Sequence, residues 1–99
     1  ALDLLNIGNK QDKITDFIER LGGIENVESI ENTPTRVYVS LHDRDKLNVE
    51  GMHRQGVTRI AETKQGFILS MGSASYIYQD ETNKALRAYQ EMKQDDEDE

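Results

Sequence analysis

The 99-residue chain contains no cysteine and no tryptophan, a single proline, and only 6% aromatic residues. Each shortage closes a class of function. Without cysteine there can be no disulfide, no thiolate metal site and no cysteine nucleophile. Small secreted domains commonly lean on disulfides, so a cytosolic setting is expected. No apolar run approaches the roughly 20 residues needed to cross a bilayer, and no signal peptide is expected in this stretch of sequence. The chain begins at Ala1 rather than at an initiator methionine. Basic runs are also missing. Nucleic-acid binding rests on Lys and Arg neutralising phosphates, and no basic stripe or helix face is available for it.

What is plentiful is acid. The net charge is −7, but Asp95, Asp96, Glu97, Asp98 and Glu99 supply most of it. The rest of the chain is close to balance. At this length one domain is expected, with room for a sheet packed against a few helices but not for a deep cleft between lobes. The domain is expected over residues 10–93, after a lead-in segment at 1–9 and before an acidic tail at 94–99 expected to be disordered.

Hydrophobic periodicity supplies the elements. Ile14, Phe17, Ile18 and Leu21 recur at i, i+3, i+4 and i+7, one face of a helix that Asn9 could cap and Gly22-Gly23 would end. Asn26–Asn32 reads as a short strand carrying Val27 and Ile30. Thr33-Pro34 breaks it, and Pro34 favours an extended Thr33. Arg36–Leu41 alternates as a strand, with Val37, Val39 and Leu41 on one face and Arg36, Tyr38 and Ser40 on the other. Residues 45–55 read as a short helix with Leu47 and Met52 inward, ended by Gly56. Val57–Glu62 and Phe67–Met71 read as strands joined through Thr63–Gly66. A long helix follows Gly72-Ser73, with Ala74, Ile77, Tyr78, Ala85, Tyr89 and Met92 predicted on its buried face.

The resulting order is α-β-β-α-β-β-α. Short connections within both strand pairs favour antiparallel hairpins. The expected fold is α+β in two layers, a four-stranded antiparallel sheet with helices on one face. The expected core is Ile14, Phe17, Ile18, Leu21, Val37, Val39, Leu41, Ile60, Leu69, Ile77 and Tyr78.

Several of these segments, in order, resemble the IIB domain of glucose-type bacterial sugar phosphotransferase systems. Gly22-Gly23-Ile24-Glu25-Asn26-Val27 is similar to that family's "GGxENI". Thr33-Pro34-Thr35-Arg36-Val37-Tyr38-Val39 falls where the family runs "CxTRLRVxV". Asp43–Lys46 resembles the "D…K" that opens its second helix, Gly56-Val57 its "GV", and Gly72 the glycine closing "QVIxG". The resemblance spans residues 10–92 and implies the same element order. It also implies a role in sugar uptake: a IIB domain takes a phosphoryl group from a histidine of a IIA partner onto its cysteine, then passes it to sugar at the IIC membrane domain. It implies a cytoplasmic position, at the inner face of the cell membrane if joined to such a transporter. No cofactor or metal is implied, and no direct membrane insertion.

Three departures fall on the chemistry. The cysteine position is Thr33, and a hydroxyl is a poor nucleophile without a base. Pro34 removes a backbone N–H from the loop that would cradle the phosphoryl group. The family's second arginine is Tyr38, one cation fewer for a developing negative charge. The family glutamine before the last strand falls near Ile68. Thr35 and Arg36 are retained and are the candidate phosphate-binding residues. Thr33 is the candidate catalytic position, expected to be inactive, with an ordinary turn role as the plainer reading. Two readings follow: a IIB-like domain that has lost the relay and serves as a structural or regulatory docking module, or an active transferase with an atypical acceptor. The sequence does not decide whether the chain is an enzyme.

The remaining candidates read more plainly. His42 and His53 lie 11 residues apart without a metal-binding pattern and are expected at the surface. Tyr78 and Tyr89 have the spacing of core contacts rather than, with Tyr76, of a binding face. The acidic tail reads as a solvated end.

Overall fold

The computed structural model describes residues 13–97. The lead-in segment at 1–9 and the proposed cap Asn9 lie outside the described residues. Helix α1 is described over 13–20. Strands β1 (Val27–Asn32) and β2 (Arg36–Leu41) follow, then α2 (Val49–Arg54), β3 (Arg59–Glu62), β4 (Gly66–Ser70) and α3 (Ser75–Glu97). Short 3-10 turns precede β1, α2 and α3. The sheet has four strands in the order β1-β2-β4-β3, every neighbouring pair antiparallel. The expected α+β architecture is present. It consists of two hairpins joined along β2 and β4.

Alternation along the strands explains the layering. Val37, Val39 and Leu41 are buried, while Arg36 and Tyr38 between them are exposed. The register places Leu69 beside Val37 and Phe67 beside Val39 on the same covered face. Phe17 and Leu21 of the α1 segment bury completely against this face, and α3 lies over β1 and β2. Phe17 meets Tyr78 edge-on, ring centroids 4.9 Å apart at 88°, an arrangement aromatic pairs favour. The opposite face carries no helix among the described residues.

Strand limits differ from the sequence reading by a residue or two, and the second helical segment divides. Arg44–Lys46 forms a 3-10 turn capped by the Asp43 carboxylate, and α2 begins only at Val49, capped by Asn48. Leu47 and Met52 point inward, as expected.

The phase of α3 requires a correction. Ile77 is 44% exposed and Met92 65% exposed, so neither belongs to the core. The buried stripe runs through Ser75, Thr82 and Leu86, with Tyr78, Ala85 and Tyr89 half-buried beside it. Two of its three buried positions are hydroxyl residues, so hydrophobicity alone turns the predicted face partly away from the true one, Ile77 and Met92 falling outside it while Tyr78, Ala85 and Tyr89 keep partial burial. Ile14, Ile18 and Ile60 are half-buried at the margin of the core. Val27, Ile30, Leu47, Met52, Val57, Met71 and Leu86 complete it. The helix itself continues through 94–97, the first four residues of the segment expected as an acidic tail.

The connection from α1 into the sheet is organised by Asn26, a polar residue that is only 3% exposed. Its amide nitrogen donates to the Leu21 carbonyl (2.8 Å) and the Asp43 carbonyl (2.9 Å). Its Oδ1 accepts from the Asp43 N–H at 2.8 Å. The backbone joins in, with His42 N–H donating to Asn26 O at 2.9 Å. The chain reaches this position through Gly22 and Gly23, both with positive φ (101° and 93°), which glycine adopts without steric cost. A Cβ on Gly22 would also approach Asn26 Nδ2 to 2.6 Å. Gly66 is required for a different reason: a Cβ there would sit 1.9 Å from the Val39 carbonyl oxygen on the neighbouring strand.

Two buried polar residues should respond oppositely to substitution. Asn26→Ala leaves the buried Leu21 carbonyl and the part-buried N–H and carbonyl of Asp43 without their partner and should cost about 2 kcal/mol. Thr82 Oγ1 is buried with no hydrogen-bond partner, so Thr82→Val should stabilise by about 1 kcal/mol. Urea unfolding of both variants checks the pair. Tyr78 gives a pH prediction. Burial holds its phenol above the usual tyrosine range, the nearby Arg20 opposing the shift, and the hydroxyl donates to Gln55 Oε1 at 2.9 Å. A raised folded-state pKa gives stability that is complete below about pH 10 and is lost as pH climbs through the folded value. Thermal midpoints should therefore fall more steeply at alkaline pH in the native chain than in Tyr78→Phe.

Candidate functional site

The residues singled out by the sequence come together at one end of the sheet. Thr33 follows β1 directly and Arg36 opens β2, leaving Pro34 and Thr35 as a two-residue hairpin tip. The Thr33 N–H donates to Arg36 O at 2.9 Å. Thr33 Oγ1 accepts from the Arg36 N–H at 3.1 Å and, more loosely, from the Thr35 N–H at 3.4 Å. Asn32 Nδ2 donates to the Thr33 carbonyl at 3.1 Å. Across the sheet, the Thr35 carbonyl accepts from both Met71 N–H and Gly72 N–H at 3.1 Å. The hairpin tip is thus bonded to the end of β4, and the glycine after β4 sits beside the Thr33 loop.

Proline and threonine are suited to this turn. Pro34 pre-sets its own φ and has no N–H to satisfy. A threonine hydroxyl at the start of the turn can accept backbone N–H groups two and three residues ahead. That engagement bears on reactivity. Both N–H groups aim at the oxygen lone pairs a nucleophile would use. Thr33 Oγ1 has no carboxylate or imidazole hydrogen-bonded to it among the described residues, so nothing there is placed to take its proton.

Neither histidine approaches this loop's hydrogen bonds. His53 Nδ1 lies 2.9 Å from the Val57 carbonyl, a contact that requires a proton on Nδ1 and fixes the tautomer. His42 follows the far end of β2, 3.8 Å from Glu28. Near that far end lies an open polar cleft lined by Glu28, His42, Asp43, Arg44 and Lys64. Arg44 is already occupied there by Glu62 (3.2 Å) and the Thr63 carbonyl (2.6 Å). Among the described residues no group of three or more His, Cys, Asp or Glu could hold a metal ion. Tyr76 is 64% exposed, whereas Tyr78 packs on Phe17.

Arg36 is exposed on the open face of the sheet, and its guanidinium has no hydrogen bond or ion pair among the described residues. The register adds residues that the sequence reading did not single out. Arg36 pairs with Ser70 of β4, and Ser70 pairs in turn with Arg59 of β3. The next row on the same face is Tyr38, Ile68 and Ala61. Alternation in 57–62 could have set Arg59 opposite Ile60. Its alignment with Arg36 depends on strand pairing, which no local pattern encodes.

No family model matches the chain, and no curated protein matches it. Among solved structures, one domain of the PTS system IIabc component from Clostridium difficile is similar, with a TM-score of 0.61 and 22% identity over 79% of this chain and 83% of that chain. This likeness establishes a shared fold. It agrees with the element order that the IIB resemblance implies. No described helix is long and apolar enough to cross a membrane.

If Thr33 serves the turn, its hydroxyl and not its methyl carries the effect. Thr33→Ala should lose about 1 kcal/mol, and Thr33→Ser should retain most of the stability, both measured by urea denaturation.

Proposed function

We propose that this chain is a IIB-like domain of a sugar phosphotransferase system that has kept the fold and lost the phosphoryl relay, acting as a structural or regulatory docking module. The observation carrying this reading is the state of the position where the resemblance puts the acceptor cysteine. Thr33 Oγ1 accepts two backbone N–H groups, sits before Pro34, and has no base bonded to it. The fold shared with the Clostridium difficile PTS domain supports the choice of system.

Chemistry favours loss over substitution. A thiolate is nucleophilic near neutral pH and its phosphothioester is labile. A threonine hydroxyl lacks the first property, and its phosphate ester would be too stable to hand on. The partners under this reading are a IIA domain or protein and a IIC membrane domain, with the chain on the cytoplasmic side, at the membrane if held by such a partner. The candidate docking surface is the open sheet face, where Tyr38 is 38% exposed and neighbours Arg36. The alternative, an active IIB transferase with an atypical acceptor, is separated by the same experiment.

The chain is incubated with phosphoenolpyruvate, the general phosphotransferase proteins and a glucose-type IIA, beside a cysteine-bearing IIB domain. Intact mass spectrometry at neutral pH should show no phosphoryl gain on this chain while the cysteine-bearing domain is labelled. A gain of one phosphoryl group, mapped to Thr33 or a histidine, would overturn the reading.

A further inference from the structure

On the open face, the row through the candidate site carries two exposed arginines on either side of one serine. Arg36, Ser70 and Arg59 are direct cross-strand partners on β2, β4 and β3. Side chains in a row project from the same face. That face is the uncovered one here, since Val37 and Leu69 of the adjoining row are fully buried. Strands are about 4.8 Å apart, which puts the two arginine Cα atoms roughly 10 Å from each other. Both guanidinium groups can then reach inward over Ser70.

Two like charges so placed normally acquire acidic neighbours. Among the described residues neither guanidinium has a carboxylate partner, although the chain carries a net charge of −7, so both forks are free for an anion from outside the chain. The nearest acid on the face is Glu31, paired with Tyr38 in the next row. The Ser70 hydroxyl is likewise without a hydrogen-bond partner among the described residues. The Ser70 carbonyl is fixed by the Thr58 N–H (2.8 Å) and Thr58 Oγ1 (3.2 Å), which anchors the middle of the row.

We infer that Arg36 and Arg59 form a two-arginine clamp over Ser70 that binds a phosphoryl group without accepting it. The donor set selects the ligand. Two planar guanidinium forks from opposite sides and one hydroxyl offer up to five N–H or O–H donors. A tetrahedral phosphoryl group with three terminal oxygens uses them, whereas a carboxylate with two oxygens cannot. The clamp is centred on Ser70 of β4, and its Arg36 end adjoins the Thr33 turn, whose hydroxyl accepts from the Arg36 N–H at 3.1 Å. The ligand has two sources, a free phosphate or phosphate ester and a phosphorylated side chain of a partner. The second source rests on the docking function proposed above, and the first does not.

The test uses the full chain and follows backbone and arginine Nε signals by NMR. Inorganic phosphate is added first, with acetate as the control anion. Saturable shifts at Arg36, Arg59 and Ser70 with phosphate but not acetate are expected. Arg36→Gln and Arg59→Gln should each weaken binding at least tenfold, while Arg54→Gln on α2 should leave it unchanged. Equal response to acetate, or insensitivity to Arg59→Gln, would overturn the clamp. Glucose-type IIA is then added in unphosphorylated and phosphorylated forms. Tighter binding of the phosphorylated form, lost in Arg59→Gln, identifies the partner as the source. Equal binding of both forms, with no phosphate response, overturns the clamp and leaves docking standing. A phosphate response with no IIA binding supports the clamp with a small phosphate as its ligand and removes the docking reading.

Discussion

The buried amide of Asn26 is the constraint on which the arrangement depends. It sits where three segments meet: the end of the first helix, the start of β1 and the turn after β2. Its hydrogen bonds to Leu21 and Asp43 tie the end of the first helix to the turn after β2. Phe17 and Leu21, just before this tie, are fully buried in the core. In a chain of 99 residues the core is small, and a polar group buried with all its bonds made specifies one packing among many that hydrophobic burial alone would tolerate. Burying the amide unsatisfied would cost more than its bonds contribute, so the segments must meet in the geometry that satisfies it.

This gives the glycine-rich segment Gly22–Val27 a physical meaning. The two glycines supply backbone conformations that other residues adopt at a cost, and Gly22 leaves room for the Asn26 side chain. Nothing in that segment requires phosphoryl chemistry. The parts of the chain that resemble IIB domains most closely are therefore scaffold, and the departures at Thr33, Pro34, Tyr38 and Ile68 fall on the hairpin tip and the uncovered face. Under the reading proposed here, the fold persists without the relay because the two sets of residues are physically separate.

Much of the fold was legible in local pattern. The alternation of Arg36–Leu41 gave both the strand and its buried face, and the pair Gly22-Gly23 and Pro34 marked real turns. The long helix was misphased because Ser75 and Thr82 occupy buried positions that hydrophobicity would assign to apolar residues, while Ile77 and Met92 face outward. Asn26 read as the start of a strand because side-chain bonds to residues 17 positions away leave no periodic trace. At the site, Thr33, Thr35 and Arg36 were readable because they are contiguous. Arg59 and Ser70 join them only through the pairing of three strands, information that lies in the register and not in any short window.

The meeting of β2 and β4 at Gly66 bears on the mechanical integrity of the sheet. The two hairpins share only this central seam, and at residue 66 the backbones are too close for any side chain. A substitution there cannot be absorbed by a rotamer change, because the obstructing atom belongs to the Val39 peptide. It would have to part the seam at that end, where Gly66 pairs with Ser40. Arg36 and Ser70 lie at the opposite end of the seam, tied by the Thr35 carbonyl to the Met71 and Gly72 N–H groups, so the alignment of Arg36 with Arg59 is the part of the seam that such an opening would reach last.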